Sequence, residues 1–244
     1  MSVPGLFTHG SPKHRLPHPP IPTRLLIAAH AAFTEAFAML RAKPPSGFAL
    51  DTALEKEITR QLKDILANDL LPNGTVPGFN KTYFSYAVRD AELTSFDGSH
   101  PDKKPDIVLG LQRPDGAWVI ADQDALFVEC KPVDDSHRLT TEYGGNGIRR
   151  FVQGEYAWAM RSAMMVAYVR CGFTIAKHLR ENLKKNKTDT RFGKPALMPC
   201  VPGCVKGALS EALRATRHCR TFAWPANGKT ATAISLFHSW HTCA

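Results

Sequence analysis

At 244 residues and 43% hydrophobic content, the chain has the length and composition of one sizeable domain with a packed core. Its formal net charge of +9 argues against small cationic substrates and favours polyanionic partners, nucleic acid ahead of an anionic membrane surface. The longest nearly apolar stretch, Ser162–Val169, is too short to span a bilayer, and the basic residues 1–24 lack the apolar centre of a secretory signal; a cytoplasmic location is expected.

In chain order, residues 1–22 carry six prolines and read as an arm or irregular wrap. Apolar residues at helical spacing predict a helix over Leu25–Leu40, stopped by Pro44 and Pro45. A second helix is predicted from Asp51, as N-cap, to Asn68, before the turn Leu71–Gly74. Strand-forming residues follow over Phe79–Leu93, then a polar loop. Asp106–Leu111, Trp118–Ala121 and Ala125–Val133 predict three strands joined tightly.

Gly144–Gly147 reads as a break before a helix over Ile148–Met160. Ala163–Val169 is the next strand and Phe173–Lys184 the next helix. A short helix over Lys206–Ala215 and strands over Thr221–Trp224 and Thr232–Trp240 complete the chain. This predicts an N-terminal arm and helix over 1–48 and one α/β domain over 49–244, with its core at about 50–170.

The six cysteines are scattered in a pattern that suits a reducing compartment. Cys200, Cys204, His218 and Cys219 have a spacing that zinc permits, although reduced cysteines around a proline-glycine turn explain the same residues. His218, His238 and His241 could contact a phosphate or act as acids, but the segment around the last two reads as a closing strand whose Ile234, Leu236 and Phe237 pack on a sheet.

Chemistry concentrates in Pro105-Asp106 and Glu129-Cys130-Lys131. Side chains alternate along a strand, so Glu129 and Lys131 share one face while Val128 and Cys130 take the other. Two charges inside an apolar strand are costly without partners. Pairing with the preceding strand brings the Asp106 carboxylate near Glu129, and converging carboxylates repel unless a cation intervenes. Hard oxygen ligands suit Mg²⁺ or Mn²⁺, which can activate water and hold a phosphate oxygen. The Cys130 carbonyl is a further potential ligand, and Lys131 can orient the water or offset charge on the transition state.

These residues resemble the PD-(D/E)xK nuclease superfamily, which includes many restriction enzymes, repair nucleases and phage-defence effectors. Pro105-Asp106 matches its first element and Glu129-Cys130-Lys131 its second. The resemblance implies a restriction-endonuclease-like fold: an α/β architecture with a mixed central sheet flanked by helices, carrying N-terminal helical and C-terminal additions. It implies a Mg²⁺- or Mn²⁺-dependent phosphodiesterase acting on DNA, an endonuclease of restriction or antiviral defence, working as a homodimer or in a larger defence complex. Asp106, Glu129 and the Cys130 carbonyl would hold the metal.

The superfamily core begins with a helix carrying an acidic residue, here Glu55 or Glu57. Glu55 falls roughly 45° from the centre of the stripe formed by Leu54, Ile58, Leu62 and Ile65, so it is the expected metal ligand, whereas Glu57 lies on the far side. After the second element the resemblance implies a helix, on which Gln153 could touch the metal-bound water. The glutamine-tyrosine spacing of exonuclease relatives is absent, because residue 157 is alanine. Lys104, Arg149 and Arg150, with Lys103, Arg113, His137 and Arg138, could neutralise backbone phosphates. No base-reading motif is evident. Two other readings stay open: a catalytically silent nucleic-acid-binding module, and a protein-interaction module whose Thr23–Leu40 segment docks on a larger partner.

Overall fold

The computed structural model describes residues 16–99, 102–113, 119–198, 212–224 and 228–243. Its helices are α1 (Thr23–Ala42), α2 (Glu55–Ile65), α3 (Leu71–Asn73), α4 (Arg149–Gln153) and α5 (Arg180–Lys185). The strands are β1 (Phe84–Arg89), β2 (Ile107–Leu111), β3 (Ala125–Val133), β4 (Ser162–Val169), β5 (Ala196–Leu197), β6 (Leu213–His218) and β7 (Ile234–Thr242). Among the described residues these strands form one mixed sheet in the order β1-β2-β3-β4-β7-β6-β5. Parallel pairing joins β3 to β4 and β4 to β7; the other neighbours are antiparallel. The chain is therefore α/β with a central sheet flanked by helices.

Strands β3 and β4 are buried along their whole length, as expected of central parallel strands covered on both faces. Helix α1 covers one face. It is long and apolar enough to cross a membrane by length and composition, a property that the apolar count centred on Ser162–Val169 overlooks. Here it buries Leu26, Ala29, Phe33 and Phe37 in the core. Its His30 bonds to Ser239 of β7 at 2.6 Å, and Phe37 stacks on His241 with ring centres 4.6 Å apart. Helix α2 joins this layer through Thr59, whose hydroxyl meets that of Tyr168 at 2.8 Å.

The opposite face is covered by a wide, π-helical segment, Leu139–Ile148, running directly into α4. Gly144–Gly147 is thus inside a helix rather than a break. A Cβ at Gly144 would stand 2.2 Å from the Phe192 ring, so glycine here serves close packing. A buried chain of hydrogen bonds pins this segment to the sheet. The Phe192 carbonyl can only accept, so His218 donates to it through Nδ1, at 2.6 Å. His218 Nε2 then accepts the Thr216 hydroxyl, whose oxygen accepts from His238 Nε2, both at 2.6 Å. His238 Nδ1 accepts the Tyr143 hydroxyl at 2.9 Å, and Tyr143 accepts the Trp240 indole N–H at 3.0 Å. Every donor finds an acceptor when both imidazoles carry one proton.

Several sequence expectations need correction. Helix α4 stops at Gly154, which takes the left-handed conformation (φ 73°) that ends helices, so the helix does not reach Met160. Helix α2 starts at Glu55, not after Asp51, because Glu57 accepts the Leu54 N–H and caps there. The first strand begins only at Phe84, after a turn in which the Asn80 side chain accepts the Thr82 N–H. Leu213–Ala215, expected as helix, belongs to β6, where pairing with β7 overrides local preference. Ala121–Gln123 is a 3₁₀ turn, and Thr221–Trp224 contributes only an isolated bridge, Ala223 to Thr230. Residues 16–22 do wrap the fold irregularly: His18 bonds to the Ala159 carbonyl, and Arg113 holds the Pro19 carbonyl.

Candidate functional site

Strand β3 runs past the start of β2. The last β2 residue to pair, Ile107, faces Val128, so Glu129–Val133 continue without a β2 partner. The Asp106 side chain fills the first gap, its Oδ2 accepting the Cys130 N–H at 2.7 Å. N–H and C=O of a strand residue leave on the same side, so the Cys130 carbonyl faces this same open edge. Helix α2 begins nearby, because Arg89, the β1 residue opposite Ile107, donates to the Lys56 carbonyl. Four elements thereby meet at one end of the sheet.

Three carboxylates from three of these elements converge on one ammonium. Lys131 Nζ lies 2.7 Å from Glu55 Oε1, 3.1 Å from Glu129 Oε1 and 3.8 Å from Asp106 Oδ2. Arg150 stands 3.5 Å from Glu129 Oε1, and the Tyr156 hydroxyl donates to Glu129 Oε2. Glu129 is fully buried, whereas the side chains of Glu55 and Asp106 are 34% and 24% exposed, so solvent reaches the cluster from their side.

Burial, reinforced by the Asp106 charge, pushes the Glu129 carboxyl up to about 7; Lys131 and Arg150 oppose this. Burial also raises Glu55, against the pull of Lys131. Burial alone would lower Lys131, yet the charges of Glu129, Asp106 and Glu55 outweigh it and hold the ammonium protonated. Three carboxylates against two cations leave a surplus of negative charge when all are ionised.

Does this donor set fit a divalent cation? Among the described residues, no three His, Cys, Asp or Glu side chains stand close enough together to hold one. The carboxylates are instead gathered around the Lys131 ammonium, 2.7–3.8 Å from its Nζ. The chemistry nonetheless fits: all donors are hard oxygens, and the buried Glu129 Oε1 has close cations but no aligned hydrogen bond. Glu55, Asp106, Glu129 and the Cys130 carbonyl are the residues that would hold such an ion.

Glu57 is turned to the Leu54 N–H rather than to the site. Gln153 is exposed at the end of α4 and is not among the side chains that meet Lys131. Lys104 pairs with Glu92 at 2.9 Å and Lys103 with Glu155 at 3.4 Å. Arg150, expected on phosphate, faces Glu129 instead. Arg149 is half-buried and its Nε has no hydrogen-bond partner among the described residues. Tyr156 lies in the segment the sequence offers after the second element, but Gln153 rather than Tyr156 is the residue singled out there. The signal available was the buried Glu129 itself, which requires a donor.

Cys200 and Cys204 lie outside the described residues. Both ring nitrogens of His218 are engaged in the buried chain, and Cys219 is exposed, so these two do not present a shared ligand pair. His238 is likewise committed within the core.

No family model, curated protein or solved structure matches the chain. Its own geometry carries the functional argument.

Proposed function

We propose that this chain is a metal-dependent nuclease of restriction-endonuclease-like fold, acting on DNA as an endonuclease of restriction or phage defence. The observation that carries the reading is the meeting of Glu55, Asp106 and Glu129 around Lys131 where β2 pairing ends. Glu129 Oε1 is buried with Lys131 at 3.1 Å and Arg150 at 3.5 Å as ion-pair partners but no aligned hydrogen bond, so it keeps a lone pair that a cation could use. A divalent cation at these oxygens would supply Lewis acidity and a water of lowered pKa.

The chain's own residues supply the remaining requirements. Hydrolysis adds a water oxygen at phosphorus, breaks one P–O bond and leaves a proton on the departing oxygen. Lys131, held protonated, donates hydrogen bonds to oxygen on which negative charge grows in the transition state. Tyr156 and Arg150 fix Glu129, and Asp106 is fixed by the Cys130 N–H. The partial exposure of Glu55 and Asp106 gives the polymer its approach, while the buried side excludes water.

Among the described residues no ion pair engages Arg149 or Arg138, and Arg149, next to Arg150 in the chain, is the candidate to meet a backbone phosphate. Arg149→Ala is expected to weaken DNA binding and to lower the slope of log K against log salt by about one. Fluorescence anisotropy between 50 and 200 mM salt checks this, and an unchanged slope would remove Arg149 from the interface. The polymer itself is settled by incubating the protein with supercoiled plasmid, linear duplex, single-stranded DNA and RNA in Mg²⁺, Mn²⁺ or EDTA. Metal-dependent cutting of DNA is expected. Metal-independent cutting would refute the reading, and DNA binding without cutting would favour the silent binding module.

A further inference from the structure

We infer that the exposed cations of residues 177–194 form a second nucleic-acid surface, apart from the catalytic cluster, that holds the backbone of the same duplex several base pairs from the cut bond. This rests on the DNA reading above, but the segment lies beyond residues 50–170, which the family resemblance covers. Residues 177–194 hold seven lysines and arginines against two acids, a net +5 of the chain's +9. All seven cations are exposed. Both acids are already engaged, Glu181 by Lys184 at 2.9 Å and Asp189 by Arg191 at 2.6 Å. Among the described residues no ion pair engages Lys177, Arg180, Lys185, Lys187 or Lys194.

The fold turns these charges outward by burying the other side of the helix. Ile175, Leu179 and Leu183, each four residues on from the last, are buried along the π-helical turn Ile175–Leu179 and α5. Arg180, Lys184 and Lys187 line one groove with Leu183, Pro195 and Leu197, and among the described residues no acid lines it. One helix fixes its place relative to the site. Asn182 of α5 donates to Thr140 Oγ1 at 2.7 Å. Thr140 stands at the start of Leu139–Ile148, whose other end enters α4, where Arg150 meets Glu129. At about 1.5 Å per residue, Thr140 and Arg150 are roughly 15 Å apart. Phosphates advance about 3.4 Å per nucleotide along one strand of a duplex, so this is about four to five base pairs.

A phosphate backbone suits this surface better than an acidic protein does. Protein interfaces are depleted in lysine and anchored by aromatic side chains, whereas lysine and arginine meet backbone phosphates without reading bases. Among the described residues Leu197 is the only exposed large apolar side chain in the groove. The surface therefore adds affinity and holds the duplex in place, while carrying no sequence information.

The test is fluorescence anisotropy of the full chain with a labelled duplex of about 30 base pairs in EDTA, between about 50 and 200 mM salt. Arg180→Ala/Lys187→Ala removes two exposed charges from the groove; Lys43→Ala/Lys81→Ala removes two exposed lysines, at the end of α1 and before β1. The first pair is expected to weaken binding at least about tenfold at about 100 mM salt and to lower the slope of log K against log salt by about two, while the second leaves the slope unchanged. An unchanged slope in the first pair would mean that the duplex does not reach α5, and an equal loss in both pairs would mean that only net charge is felt. Either result overturns the inference and leaves the DNA reading standing. So does labelled polyglutamate that binds more tightly than the duplex and is lost in the first pair, which would assign the surface to an acidic protein. A wild type that binds no duplex in EDTA or in Mg²⁺ brings down the DNA reading, and this surface with it.

Discussion

Lys131→Met is expected to melt well below the wild type in EDTA and to recover when Mn²⁺ is added. The substitution keeps the side chain's length and apolar stem but removes the one ammonium shared by Glu55, Asp106 and Glu129. Breaking a buried ion pair costs about 3–5 kcal/mol. The lower end applies here, because Glu55 and Asp106 are partly solvated and Glu129, already pushed up to about 7, can take up a proton. A cost of about 3 kcal/mol lowers the melting temperature of a chain this size by roughly 6–12 °C. A divalent cation at one hundred times its dissociation constant returns about 2.7 kcal/mol. Thermal melts in EDTA and in Mn²⁺ measure both effects. Adding Glu129→Gln should abolish the rescue. A Lys131→Met protein as stable as the wild type in EDTA would show that the ammonium does not hold the cluster together.

Acid is expected to destabilise the fold well before the ordinary carboxylates protonate. Burial lowers His30 and His218 to about 4, and holds His238 and His241 well below the ordinary histidine value. The unfolded chain binds these protons near pH 6.5 while the folded chain refuses them until about pH 4, so stability falls as pH drops through that window. At pH 5, His30 and His218 each withdraw about 2 kcal/mol. Glu129 runs the other way: its raised pKa penalises the fold above pH 4.5, and acidification to pH 5 returns about 2–3 kcal/mol. With His238 and His241 on the losing side, the balance is a net loss. Geometry explains why the core cannot accommodate the protons. A second proton on His218 or His238 would set two donors against Thr216, or a donor against the Tyr143 hydroxyl. The melting temperature should drop by at least about 4 °C between pH 7 and pH 5. A flat profile over that range would mean the histidines are not held neutral.

How much of this was legible beforehand depends on the range of the interactions. Strand β3 occupies the predicted Ala125–Val133, because nine residues of apolar and alternating charged character leave little choice of period. The gathering of Glu55, Asp106, Glu129 and Lys131 followed from strand alternation, helix geometry and the family resemblance together. Gly144–Gly147 misled because glycine signals a break locally, whereas here it admits Phe192, a partner distant in sequence. Tyr156, Arg150 and Arg220 act through contacts across 21 to 63 residues that periodicity does not encode. The commitment of His218 and His238 to the core was likewise invisible, because it depends on β6 pairing with β7.

The most direct test of the nuclease claim is cleavage of supercoiled plasmid by wild type, Asp106→Asn, Glu129→Gln and Lys131→Met in Mg²⁺ and in EDTA. The account predicts nicking or linearisation by the wild type in Mg²⁺ alone, reduced at least about a hundredfold in each variant. Cleavage that persists in the variants, or in EDTA, would contradict it.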